Sequence, residues 1–179
     1  WVVAGTVWGI YNYANGKNHA AYSKWNQTTI DNLKNKYSYN VDMSGAQVAT
    51  IENGKLTGTG SDTTDIKNKD LIFTGGGDIL LKSSFDNGAG GLVFNDKKTY
   101  RVNGDDFTFK GAGVDTRNGS TVEWNIRYDN KDNLHKIGDG TLDVRKTQNT
   151  NLKTGEGLVI LGAEKTFNNI YITSGDGTV

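Results

Sequence analysis

A short glycine box recurs towards the end of this chain. Gly138-Asp139-Gly140-Thr141-Leu142 is echoed by Gly155-Glu156-Gly157-Leu158-Val159, and again by Gly175-Asp176-Gly177-Thr178-Val179. The offsets are 17 and 20 residues, and Gly90-Gly91-Leu92-Val93 is a looser copy. Self-similarity at a short period marks a stacked repeat, in which each unit buries its apolar face against the next. One turn of a three-sided β-helix takes three short strands and three bends, roughly 18 to 25 residues at about 3.3 Å per strand residue. Glycine at the bends tolerates positive φ. The apolar pair after each box is then expected to point inward and stack on its copy. A β-sandwich would show longer strands and no recurring box, so the box favours a solenoid. On this reading Leu142, Val144, Leu158, Ile160, Ile170 and Ile172 share one core.

The rest of the chain agrees. From about Val41 onward, short apolar bursts alternate with Gly, Asn and Asp turns: Leu71-Ile72-Phe73, Ile79-Leu80-Leu81, Leu92-Val93-Phe94, Phe107-Thr108-Phe109, Val122-Glu123-Trp124, Leu142-Asp143-Val144, Leu158-Val159-Ile160 and Ile170-Tyr171-Ile172. Strands this short and this numerous predict an all-β domain. The chain has 24 Gly and no Pro, which suits a solenoid, because Pro removes a ladder donor and is kept out of central strands. A helical pattern occurs once. Tyr22, Trp25, Thr29, Leu33 and Tyr37 recur every three or four residues, opposite Lys24, Asn26, Asp31, Lys34 and Lys36, and predict an amphipathic helix over 19–37. Before it, Trp1 to Tyr13 reads as one or two buried strands. Opening in mid-strand, the chain is expected to be a piece of something longer.

Charge and chemistry narrow the function. The 20 basic and 20 acidic residues cancel, so the electrostatic footprint of a nucleic-acid binder is missing. No apolar run is long enough for a membrane-spanning helix, and no membrane contact is expected of this segment. The absence of Cys removes disulfides, thiol nucleophiles and thiolate metal sites together. It also suits a chain threaded unfolded through the oxidising periplasm. His19 and His135 are the only histidines, and neither sits in a motif that supplies a nucleophile, so no catalytic residue is assigned. No metal ligand set is assigned either. Asp129-Asn130-Lys131-Asp132-Asn133 lacks the Gly and terminal Glu of a calcium loop, and Gly75-Gly76-Gly77-Asp78 does not match the calcium nonapeptide. No cofactor is expected. Asn26-Gln27-Thr28 and Asn118-Gly119-Ser120 match the glycosylation pattern, a match common by chance.

The segment Asn133-Leu134-His135-Lys136-Ile137-Gly138-Asp139-Gly140-Thr141-Leu142-Asp143-Val144 resembles the Leu-x-Lys-x-Gly-x-Gly-Thr-Leu rung box of autotransporter passenger domains. Gly111-Ala112-Gly113-Val114-Asp115 followed by Val122-Glu123-Trp124 is similar to that family too. The match is best to the serine protease autotransporters of enteric bacteria. In them a chymotrypsin-like protease domain precedes a long right-handed parallel β-helix, and a C-terminal outer-membrane barrel exports the passenger. Trp1-Val2-Val3-Ala4-Gly5-Thr6-Val7-Trp8-Gly9 resembles the strand after the catalytic serine of trypsin-like proteases.

This resemblance implies that residues 1–40 are the terminal strands and closing helix of a trypsin-like barrel, and that 41–179 are the first rungs of the stalk. The triad and oxyanion loop would then precede Trp1. Val7, Trp8 and Gly9 would lie on the strand that pairs with substrate backbone. The expected partners are the upstream protease segment and host protein substrates, and the expected location is secreted or at the bacterial surface. A non-enzymatic adhesin is the alternative, disfavoured by residues 1–37. A β-helical polysaccharide enzyme would need clustered acids or bases on one rung face, and none stands out.

Taken alone, the 179-residue chain is expected neither to hydrolyse casein nor to react with serine-directed inhibitors, for want of nucleophile, base and oxyanion donors. Stoichiometric labelling of any Ser in this chain would overturn the placement of the triad upstream.

Overall fold

The computed structural model describes residues 27–128, 133–145, 151–162, 169–172 and 177–178. It starts with helix α1 (Gln27–Tyr37), which runs without a break into strand β1 (Ser38–Asp42). α1 is the described part of the predicted helix; Asp31 and Lys36 are exposed, as its polar face requires, while Tyr22 and Trp25 lie outside the described residues.

Everything after α1 is strand and turn. One sheet carries seven strands in the order β1, β4 (Asp70–Thr74), β7 (Leu92–Phe94), β9 (Val114–Thr116), β11 (Asn133–Ile137), β13 (Asn151–Thr154) and β15 (Asn169–Ile172). The second carries β3 (Lys55–Thr57), β2 (Val48–Glu52), β5 (Gly77–Leu81), β8 (Thr99–Lys110), β10 (Thr121–Tyr128), β12 (Thr141–Asp143), β14 (Gly157–Ile160) and β16 (Gly177–Thr178), with β6 (Phe85–Asp86) beside the far end of β8. Apart from the β2–β3 hairpin, every strand pairing is parallel, and the chain alternates between the two sheets as it climbs. This is a parallel β-solenoid. Each apolar burst of the sequence became a strand.

The core is a set of columns along the axis. Leu71, Leu92 and Val114 stack in register, and so do Phe73 and Phe94, whose rings lie 5.3 Å apart. Tyr100 leans on Phe94 at 4.8 Å, and Phe109 meets Trp124 edge-on at 5.7 Å. Such offset and edge-on ring pairs add to plain burial. The far half of β8 departs from regular pairing: the register with β10 shifts between Asn125 and Arg127, opposite a longer stretch of β8 that holds Asp105 at positive φ and leaves Phe107 exposed.

The expected core needs correction at four of its six residues, and so does the equivalence of the boxes. Leu142 and Val144 are buried, but Leu158 is 39% exposed and Val159 is buried in its place. The register shows why: Thr141 pairs with Leu158 and Leu142 with Val159. Leu158 therefore occupies the outward position held by Thr141 one rung earlier. Ile160 pairs with Asp143, another outward position. Ile170 and Ile172 do follow buried Leu152 and Thr154 in register, yet they are exposed on the last described strand of their sheet. The loose copy at Gly90-Gly91-Leu92-Val93 is not equivalent to the other boxes, because Leu92 lies in the first sheet and Leu142 and Val159 in the second.

The test of this register is a pair of substitutions. Val159→Asp would bury an unpaired carboxylate and lower unfolding stability by several kcal/mol. Leu158→Asp, one residue away, should shift the urea midpoint by little. Equal losses in both variants would contradict the register.

Candidate functional site

Of the residues singled out beforehand, Val7, Trp8 and Gly9 lie outside the described residues, as does His19. His135 is half-buried on β11, and its register partner one rung on is Lys153. Burial first, and then the lysine charge, hold its pKa below the ordinary imidazole value. That is a neutral ring on a rung face. Asp78 lies on β5, in register with Arg101. Gly75 donates its N–H to Asp96 Oδ2 at 2.8 Å, so the Gly75-Gly76-Gly77-Asp78 stretch is a structural corner. Among the described residues no cluster of three side chains could hold a metal ion. Asn118-Gly119-Ser120 is also engaged: Asn118 Nδ2 donates to Asn95 O at 3.0 Å, and Ser120 Oγ donates to Phe94 O at 3.2 Å.

What the fold does assemble is a polar corner between the two sheets. Along it, each turn is tied to the turn of the next rung: Asp96 accepts from Gly75, Asn118 donates to Asn95, and Asp139 accepts from Gly119 N at 3.1 Å. Lys136 closes the next level. Its register places it in the inward column after Leu71, Leu92 and Val114, and it is fully buried. Its ammonium donates to the carbonyls of Gly138, Gly140 (3.0 Å) and Glu156 (2.6 Å). Three acceptors match its three donors. Burial pushes its pKa down to about 8, against the attraction of Asp115, Glu156 and Asp139, so it is still mostly charged at neutral pH.

The spacing of the rung box follows from this geometry. Leu134 and Leu142 point inward, Lys136 caps the corner from within, and Thr141 points out. A side chain at Gly138 would run into Asp115 and the Thr116 carbonyl, and one at Gly157 into the Gly138 and Gly140 carbonyls. Both glycines also sit at positive φ, so the corner demands glycine twice over. In the next rung Thr154 takes the lysine's place, and the corner is one residue shorter.

Three buried carboxylates were not foreseen, Asp70, Asp115 and Asp143. Asp70 is 3% exposed and accepts from Gly91 N at 2.8 Å. Burial raises its pKa to about 7, opposed by that hydrogen bond. Asp115 is 1% exposed and pairs with Arg117. Burial raises its pKa too, with Arg117 pulling the other way. For Asp115 the signal in the sequence was an acid placed between two inward residues, Val114 and Thr116; Asp70 opens its strand after Lys69 and carried no such mark. On the second sheet Arg101 pairs with Glu123 at 3.0 Å near the surface, and the exposed Arg145 covers the buried Asp143 at 2.7 Å. Chemically, these arrangements hold backbone in place; no nucleophile and base converge among them.

The class of the molecule is thus a parallel β-solenoid with laddered polar corners. No family model matches the chain. It is 49% identical to the serine protease Pet autotransporter of Escherichia coli O44:H18 over 189 aligned residues, covering 100% of this chain and 14% of the relative. It is 45% identical to the serine protease Sat autotransporter of Escherichia coli O6:H1, and 33% identical to an immunoglobulin A1 protease autotransporter of Haemophilus influenzae. The crystal structure of the passenger domain of plasmid encoded toxin, an autotransporter enterotoxin of enteroaggregative Escherichia coli, superposes with a TM-score of 0.75 at 50% identity, over 87% of this chain and 16% of that one. The homologues of this chain are serine protease autotransporters, and its solenoid matches their passenger domain. It spans 14% of the length of the first two relatives.

Asp70 gives the corner region a pH signature. Its pKa is raised on folding, so the chain loses stability as pH rises from the unfolded value of 3.8 through about 7. Asp70→Asn should match the parent near pH ~3 and exceed its stability above pH 7, by at most roughly 4 kcal/mol at about 1.4 kcal/mol per pKa unit. Urea unfolding of both proteins across that range decides it. A constant difference would mean that Asp70 does not ionise in a buried setting.

Proposed function

We propose that this chain is the joint and first stalk segment of a secreted serine protease autotransporter. Residues 1–40 complete a trypsin-like protease domain, and 41–179 start the β-helix, wound right-handed as nearly all parallel crossovers are. The observation that carries the reading is the match of the whole of this chain to one part of the serine protease autotransporters, joined to a helix that runs directly into the first solenoid strand. In this reading the parent cleaves host or extracellular proteins by Ser-His-Asp chemistry whose residues precede Trp1. Val7, Trp8 and Gly9 border the substrate backbone, and the segment needs no cofactor. The stalk contributes rigidity and a fixed distance from the bacterial surface, through an export route that suits a chain without Cys. Its corners are satisfied from within, which fits a scaffold better than a binding cleft.

The experiment is active-site labelling of the parent polypeptide. A fluorophosphonate should label one serine N-terminal to the residue numbered Trp1 and none within 1–179. A parent without any reactive serine would favour a non-enzymatic passenger.

A further inference from the structure

An Asn followed by Gly is prone to cyclise, because a residue without Cβ leaves its main-chain nitrogen open to the neighbouring side-chain amide carbon. The chain holds five such pairs, starting at Asn15, Asn53, Asn87, Asn103 and Asn118. Asn15 lies outside the described residues. The fold treats the other four differently. Asn87 is fully buried; its Nδ2 donates to Lys69 O at 2.8 Å, and Gly88 N donates to Asp86 Oδ1 at 2.8 Å. Asn103 sits within β8, where its Oδ1 accepts from Asn125 Nδ2 at 2.9 Å and a Cβ on Gly104 would strike Leu81 and Ile126. Asn118 Nδ2 donates to Asn95 O at 3.0 Å and to Asn95 Oδ1 at 3.1 Å, while Gly119 N donates to Asp139 Oδ1 at 3.1 Å. Asn53 is exposed at the tip of the β2–β3 hairpin. Its own N–H donates to Ser83 Oγ at 2.8 Å, but neither its side-chain amide nor the Gly54 N–H bonds another described residue. A Cβ on Gly54 would meet nothing within 4 Å, so a new ring has room there.

We propose that Asn53 is a self-modification site of this chain, with water as the co-reactant. Gly54 N bonds to Asn53 Cγ and gives up its proton. The Cγ–Nδ2 bond breaks, and the amide nitrogen leaves as ammonia. The resulting succinimide then takes up one water. Opening at one carbonyl leaves aspartate; opening at the other leaves isoaspartate, whose main chain runs through the former side chain. No oxidant, reductant or cofactor enters. The position gives the reaction a consequence. Asn53 and Gly54, at φ 50° and 75°, are the two-residue loop between Glu52 and Lys55, and such a loop requires positive φ at both central residues. Isoaspartate adds one main-chain carbon between the N–H held by Ser83 and the start of β3, so the Glu52–Lys55 pair no longer fits its loop. The reaction therefore loosens the antiparallel border of the second sheet and leaves the parallel rungs alone. The inference does not depend on the protease reading, because it rests on the hairpin alone.

Peptide mapping of the full 179-residue chain tests it. Folded and urea-unfolded samples are held side by side in mildly alkaline buffer made with heavy-oxygen water, and digested at intervals. Electron-transfer fragmentation separates isoaspartate from aspartate. In the folded sample Asn53 should convert, with uptake of one heavy oxygen, at least about tenfold faster than Asn118, whose pair must first break three hydrogen bonds. Asn87 and Asn103 should lag likewise, and unfolding in urea should erase the order. The isoaspartate form, once separated, should exchange the β3 amides with solvent faster than the parent. Equal rates at Asn53 and Asn118 in the folded chain, or an Asn53 that converts only in urea, would overturn the site. Unchanged exchange in β3 would overturn its effect on the hairpin.

Discussion

The close approach of successive corners is the constraint on which the rest of this solenoid depends. Parallel strands in adjacent rungs sit about 4.8 Å apart, so the turns that join the sheets must stack at the same spacing. Gly138 and Gly157 answer the steric side of that demand, since a Cβ at either would strike the backbone of the rung before. The polar side is answered by axial hydrogen bonds, accepted by Asp96 and Asp139 and donated by Asn118, and by the buried ammonium of Lys136. A lysine in an apolar column is costly unless every donor is used. Here three carbonyls use them, and the charge becomes a clamp between two levels.

Because the corners are fixed, the inward columns can vary. The column Leu71, Leu92, Val114, Lys136, Thr154 mixes apolar, charged and hydroxyl side chains without losing register. Aromatic rings fill the wider rungs through Phe73, Phe94, Tyr100, Phe109 and Trp124. Outside, Arg101 pairs with Glu123 near the surface, and Arg145 covers the buried Asp143. On the first sheet Asp70 and Asp115 are buried across β4, β7 and β9, while Asn40 on the neighbouring β1 is exposed.

Much of the architecture was legible in the sequence. Boxes 17 and 20 residues apart marked rungs, and they are in register as Leu142 over Val159 and Gly157 over Gly177. The failure at Leu158 came from reading both apolar residues after a box as inward, when a strand turns only alternate residues to one face. Thr141 already showed which position faces out. Lys136 was visible as a conspicuous residue of the box, but its inward direction was not, because a cation is expected to face water unless its acceptors are known. Those acceptors are backbone carbonyls, which leave no mark in sequence. Asp70 and Asp115 escaped notice for a related reason: an outward position on a solenoid is ordinarily wet, and only the burial of Ile72 and Val93 beside them shows otherwise.

The hairpin of β2 and β3 has a consequence for how such a rod grows. At that border of the second sheet a parallel partner is replaced by an antiparallel one, closed off further by the bridge of Leu56 to Thr63. A strand so occupied cannot template another rung. Stacked repeats order themselves through nearest neighbours, so accretion on this sheet has a single direction, away from the hairpin. Among the described residues this sheet behaves like a polymer with one capped end, so order along it can spread only from the hairpin towards β16.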